Sequence, residues 1–139
     1  MSNAFATAKV GDERSFEVPD ITRSHFVRYA GGGGDFNPIH HDQTFAEKAG
    51  LPTVFGMGMF TAGVLSRLPA EWFGAPSVKR YSIRFTARIW PGDTLSCKGK
   101  IARVYEEGGV RHVDLALSAT NQKGEVLVQA EATCRPWKA

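Results

Sequence analysis

The sequence predicts an α+β domain in which a curved antiparallel sheet wraps around one central apolar helix. Three observations predict it. Residues 57–68 (MGMFTAGVLSRL) carry no charge before Arg67 and are apolar nearly all round a helical projection, the pattern of a helix surrounded by protein. From residue 81 onward the period changes to two, with apolar and polar residues alternating along successive segments. Short turns link those segments, which favours antiparallel neighbours with one face buried.

Taken in order, residues 14–18 read as a short strand. Residues 21–30 follow as a short helix with apolar Ile21, Phe26, Val27 and Tyr29, Thr22 placed as N-cap, and the four glycines at 31–34 expected to end it. Asp42 is placed to cap a second short helix over 43–49, which Gly50 and Pro52 stop. In the apolar helix, the small residues Gly58, Ala62 and Gly63 allow a sheet to approach closely. Residues 81–90 then alternate as a half-buried strand, with Tyr81, Ile83, Phe85, Ala87 and Ile89 opposed to Ser82, Arg84, Thr86 and Arg88. Pro91, Gly92 and Asp93 make a turn. Residues 95–101, 113–118 and 126–133 alternate in the same way between turns at 106–109 and 121–124, giving a meander. This arrangement is the hot-dog fold. A lone sheet of this size leaves an edge and a partly open face, so pairing into a dimer is expected.

At 139 residues, with 42% hydrophobic and 22% charged content, the chain has the size and composition of one globular domain, taken as residues 1–139, and not of a disordered segment. The net charge of +3 and pI near 9.0 suit a small anionic ligand. They lack the clustered lysines and arginines of a nucleic-acid module, so nucleic acid is not an expected partner. The uncharged run at 51–66 is shorter than the roughly 20 residues of a membrane span and is broken by Pro52, Gly56, Gly58 and Gly63. The opening residues lack the apolar stretch of a secretory signal, so a cytoplasmic location away from membranes is expected. Cys97 and Cys134 stand in no metal-binding spacing and are expected as free thiols.

The densest chemistry lies at residues 29–42 (YAGGGGDFNPIHHD). Pro38 disfavours helix at Asn37, so Asp35 and His40 sit on a kinked loop where both side chains can converge on one water. A carboxylate and an imidazole form a usable acid/base pair at neutral pH. The glycines allow positive φ and close approach of backbone to ligand. Asn37 is expected to bond within its own loop and orient Asp35. The start of the apolar helix supplies unpaired N–H groups, and Gly58 is the candidate donor to a developing negative charge. No metal is expected: Asp42 is better explained as a helix cap, and the adjacent His40 and His41 cannot easily share one ion. His25 and His112 read as ordinary residues of a polar face.

Residues 29–40 (YAGGGGDFNPIH), with Arg84-Phe85 and the later PGDTL turn at 91–95, resemble the MaoC-like, (R)-specific enoyl-CoA hydratase family from about residue 8 to the end. The chain looks most like its small, single-hot-dog dehydratase subunits. Two positions depart from the family pattern: Met57 stands where many relatives have histidine, and Gly33 where many have serine or threonine. The resemblance implies that Asp35 and His40 hold and activate water and that the Gly58 N–H forms an oxyanion hole. It implies reversible hydration of a trans-2-enoyl thioester of coenzyme A or acyl carrier protein in fatty-acid metabolism, without metal or redox cofactor. Substrate contacts are expected from Asn37 and from Phe55, Met57, Met59 and Phe60 along an acyl tunnel. Arg80, Arg84 and Arg88 on one strand, with Lys98 and Lys100 on its expected neighbour, read either as a solvated sheet face or, through Arg84, as contact with the phosphates of coenzyme A or with an acidic carrier protein. The expected assembly is a homodimer or a hot-dog heterodimer. Two alternatives stand beside this reading. One is a hot-dog thioesterase, which usually wants a carboxylate on or beside the central helix, where this chain has none before Glu71. The other is a subunit that needs a partner chain for activity.

Overall fold

Apolar residues at alternate positions of the second half line one face of a five-stranded sheet, in a computed structural model that describes residues 4–137; both ends of the expected 1–139 domain lie outside the described residues. A single turn, α1 (Ala4–Thr7), precedes β1 (Glu13–Val18) and α2 (Arg23–Gly33). A 3-10 turn (Pro38–His40), α3 (Gln43–Lys48), α4 (Gly58–Leu65) and α5 (Arg67–Phe73) follow. A second 3-10 turn (Ala75–Ser77) then leads into β2 (Val78–Phe85), β3 (Leu95–Glu107), β4 (Val110–Thr120) and β5 (Val126–Cys134). The sheet is antiparallel throughout, in the spatial order β1-β3-β4-β5-β2, and α4 packs against it as in the hot-dog fold.

The core is the concave face of that sheet. Leu95, Cys97 and Ile101 of β3, Val113, Leu115 and Ala119 of β4, and Val128, Ala132 and Cys134 of β5 are buried against Phe60, Ala62 and Leu65 of α4. Register sets large against small across the strands, Leu115 opposite Ala132 and Leu117 opposite Ala130, so the face packs evenly. Tyr81 reaches from β2 to donate its hydroxyl to the Ala62 carbonyl oxygen at 2.7 Å, tying the sheet to the helix.

Five expectations are corrected. The strands do not form one meander: only β3, β4 and β5 follow one another as neighbours, and the turn at 91–93 begins a crossover from the β2 edge to β3. Alternation identifies a strand but carries no information about which strand lies beside it. The strand expected over 81–90 ends at Phe85, because the Thr86 and Ala87 N–H groups both reach the Leu127 carbonyl oxygen (2.9 and 3.3 Å) and the chain then leaves the ladder. Ile89 still faces the core, 2% exposed, from an irregular segment whose carbonyl accepts from Gly56 N–H at 2.9 Å.

The helix expected over 57–68 divides at Ser66 into α4 and α5. Pro69 has no N–H to offer the preceding turn, so it suits the first turn of a new helix and not the interior of a long one. Nor is α4 wholly enclosed: Met59 is 51% exposed and Gly63 also reaches solvent. Finally, α2 does not stop at the glycines but continues through Gly31, Gly32 and Gly33. Gly34 ends it in the left-handed conformation (φ 76°), its N–H donating to the Ala30 carbonyl oxygen at 2.8 Å.

Candidate active site

Residues 35–42 form two consecutive caps. Asn37 Oδ1 accepts from the Ile39 N–H at 3.1 Å and so starts the 3-10 turn that Pro38 opens. The Asn37 N–H in turn points to Asp35 Oδ1 at 3.3 Å. Asp42 Oδ1 accepts from the Phe45 N–H at 3.0 Å and caps α3, the role expected of it. Between the caps, the 3-10 turn directs His40 inward, where it is buried, while Asp35 remains half exposed. The two are brought together: His40 Nε2 lies 3.6 Å from Asp35 Oδ2.

The second nitrogen of His40 settles its tautomer. His40 Nδ1 is 2.7 Å from the Phe55 carbonyl oxygen. A carbonyl only accepts, so Nδ1 carries the proton, and in the neutral ring Nε2 turns a free lone pair toward Asp35. The Phe55 ring meets the imidazole edge-on at 5.1 Å and fixes its plane.

Asp35 and His40 open onto a hollow of about 320 Å³ shared with Phe55, Met57, Gly58 and Met59. Gly58 is the first residue of α4, so its N–H has no intrahelical acceptor. Its bare Cα faces Phe85: a Cβ there would stand 2.9 Å from the ring. Gly56 is tighter still, since a Cβ would lie 2.5 Å from Phe26 and 2.6 Å from Ile89. That contact lets the strand-like segment before α4 bond to Ile89 and carry Gly58 to the hollow.

Not every expected residue arrives. Phe60 turns to the core, packing edge-on against Phe26 and Tyr29 at 5.7 and 6.0 Å. Asn37 shapes the loop and does not line the hollow. Arg84 stands opposite Gln129 on the outer sheet face, because its neighbour Phe85 takes the inward position. Lys98 and Lys100 are on β3, which is not β2's neighbour, and Lys100 pairs with Glu13 at 3.5 Å. The arginine that does reach the hollow is Arg88, its guanidinium 5.1 Å from the Phe55 ring centre. The irregular path after Phe85 puts it there, and alternation alone pointed it outward with Arg84. Thr61 lines the hollow as well, and its signal was legible as the one hydroxyl before Ser66 in the apolar run.

A second, almost wholly apolar hollow of about 220 Å³ lies beyond His40 and Met57, lined also by Phe26, Val27, Ala30 and Phe36. His25 and His112 are not ordinary polar-face residues: His25 Nδ1 accepts from the Thr22 N–H at 2.9 Å and helps cap α2, and His112 is buried, stacked on Tyr105 at 5.1 Å.

The family model described as "MaoC like domain" matches residues 5–123. The chain belongs to the MaoC-like family. This MaoC-like chain is 47% identical over 70 residues to 3-hydroxyacyl-thioester dehydratase X of Mycobacterium tuberculosis, a match that covers 50% of the chain and 24% of that protein. It thus spans about a quarter of that relative's length. It is similar in fold to the unliganded (R)-hydratase PhaJ1 of Pseudomonas aeruginosa (TM-score 0.83, 23% identity, covering 96% of this chain and 86% of that one). It is similar likewise to a chain of the ChsH1–ChsH2 complex of M. tuberculosis (TM-score 0.79, 20% identity, covering 94% and 100%).

Proposed function

We propose that this MaoC-like chain hydrates trans-2-enoyl thioesters reversibly to (R)-3-hydroxyacyl thioesters, acting as a hydro-lyase of fatty-acid metabolism. The observation that carries the reading is the 3.6 Å approach of His40 Nε2 and Asp35 Oδ2 at a hollow that Gly58, the first residue of α4, also lines. Membership of the MaoC-like family and the name of dehydratase X support it.

The steps use protein groups and one water. That water lies at ordinary hydrogen-bond distance, about 2.8 Å, from both His40 Nε2 and Asp35. As its oxygen bonds to C3, one proton passes to Nε2, and the C2–C3 π electrons move through the acyl group onto the thioester oxygen. The Gly58 N–H holds that oxygen, aided by the positive end of α4. The carbonyl of Phe55 and the carboxylate of Asp35 both face the imidazolium so formed and stabilise it. Nε2–H then returns a proton to C2, the enolate electrons form the C2–H bond, and the 3-hydroxyacyl thioester leaves. No metal or redox cofactor takes part in this sequence.

The hollow by Phe55, Met57 and Met59 receives the thioester end. The apolar hollow beyond His40 and Met57 takes the acyl tail. Arg88, at the mouth of the first, replaces Arg84 as the cation for the phosphate of coenzyme A or of a carrier's pantetheine arm. The thioesterase reading finds no carboxylate on α4, and Glu71 is an exposed partner of Arg67 on α5.

A second hot-dog chain is part of the proposal. Among the described residues the outer edge of β2 pairs with no strand, and it ends beside two half-exposed apolar side chains, Phe85 and Met59, which a partner sheet would cover. Both an identical copy and a different hot-dog chain fit that edge. The test is loss of enoyl absorbance on adding the purified chain to crotonyl-CoA, read against release of free thiol, which a thioesterase would produce instead.

A further inference from the structure

We infer that the Thr61 hydroxyl is a second donor to the thioester oxygen, acting beside the Gly58 N–H. The inference rests on the hydration reading above and adds to it a residue in contact with substrate.

Thr61 is 2% exposed and lines the same hollow as Asp35, His40 and Gly58. A threonine or serine inside a helix ordinarily gives its hydroxyl to the carbonyl three or four residues back. Ser66, at the end of the same helix, does so with Gly63 at 2.7 Å. Among the described residues, Thr61 has no hydrogen-bond partner for its side chain. Its oxygen is not sealed away either: among the described residues, the fully buried side-chain polar atom left without a partner is Arg111 Nε. A buried residue whose unpaired hydroxyl is still accessible, and which lines one hollow, opens that hydroxyl into the hollow.

Its height on the helix is equally specific. Side chains of an α-helix lean toward the N-terminus, and residue i+3 lies above residue i. Thr61 therefore covers the first turn on the side of Gly58, whose N–H has no intrahelical acceptor. Backbone N–H and side-chain O–H then address one region of space from one rigid turn, which is the arrangement that stabilises an enolate-like oxygen. Thr61 lends a hydrogen bond only; no bond to its oxygen forms or breaks. An unpaired hydroxyl in an apolar wall lowers the stability of the empty protein, and the substrate oxygen removes that penalty when it binds.

The experiment compares T61V, which keeps the shape and loses the hydroxyl, with T61S, which keeps the hydroxyl, in crotonyl-CoA hydration and in thermal unfolding. Loss of one such donor lowers kcat by about 10²–10³-fold. T61V is expected to lose kcat on that scale with KM changed much less, while its Tm stays level or rises. T61S is expected to retain most of the turnover. A T61V chain with wild-type kcat overturns the inference, as does a T61V chain whose Tm falls and whose lost activity T61S shares, since that marks a packing role. Wild-type turnover beside an unaffected T61V removes Thr61 alone. A wild-type chain that leaves crotonyl-CoA unchanged removes the hydration reading and this inference with it.

Discussion

Asp35 and His40 face each other across 3.6 Å, and the imidazole is held from behind by the Phe55 carbonyl oxygen at 2.7 Å. Three separate sequence features produce that approach: the left-handed glycine that ends α2, the 3-10 turn that Pro38 opens, and a backbone carbonyl fifteen residues further on. The gap is too long for a direct hydrogen bond, and one water set to the side of the pair can bond both groups. The side chain of His40 thus has its orientation set before any ligand arrives, which is what general acid/base chemistry needs.

The glycines at 31–34 are not equivalent, and their substitution should show it. Gly31 and Gly32 are helical, with open space where a Cβ would go, so alanine there is expected to stabilise the chain by up to about 1 kcal/mol each. Gly34, at φ 76°, is strained by any side chain, so Gly34→Ala is expected to cost about 1 kcal/mol or more. Urea unfolding of the three variants checks this. Equal effects at all three positions would contradict the helix boundary described here.

That boundary also shows what the sequence makes legible. Asp42 was readable as a cap because an N-cap depends on its own residue and the next turn. Asp35 and His40 were readable as convergent because Pro38 lies between them and excludes a regular helix. The helical state of Gly31 was not readable, because three glycines argue against helix locally and the end of α2 is decided at Gly34. The placement of Arg84 and Arg88 was lost for another reason. Period-two alternation gave both the same face, but β2 stops at Phe85, and only Arg88 follows the irregular path into the hollow. Strand order failed likewise, since Leu95 pairs with Val18 from the far end of the sequence and not with the strand just before it.

Gly58 should be intolerant for a reason that a second substitution can relieve. Gly58→Ala keeps the N–H but brings a Cβ to 2.9 Å from the Phe85 ring, which must swing toward the hollow or out to solvent. Substrate affinity is expected to fall about tenfold, in line with the roughly 1–3 kcal/mol of an overpacked contact. Adding Phe85→Ala should recover most of that loss, measured as KM in the double variant. No recovery would mean that the crowding falls elsewhere.

Alkaline stability follows from the core thiols. Burial pushes Cys97 and Cys134 up to about 12 from 9.0 and raises the Tyr81 hydroxyl in the same direction. In the unfolded chain these thiols release their protons first, so above pH 9 the unfolded state binds fewer protons than the native one. Stability is therefore fully present below pH 9.0 and falls progressively toward about 12. Unfolding midpoints followed across that range should decline, and a C97A/C134A chain should decline less steeply. A flat profile in the parent chain would contradict the burial of these groups.

The most direct measurement is turnover of crotonyl-CoA by Asp35→Asn and by His40→Ala chains, each shown to unfold at the parent temperature. Each variant is expected to lose about 10²–10⁴-fold in kcat, the range of a general acid or base. Parent-like turnover in either one would leave the facing carboxylate and imidazole as an ornament of the loop and contradict the account at its centre.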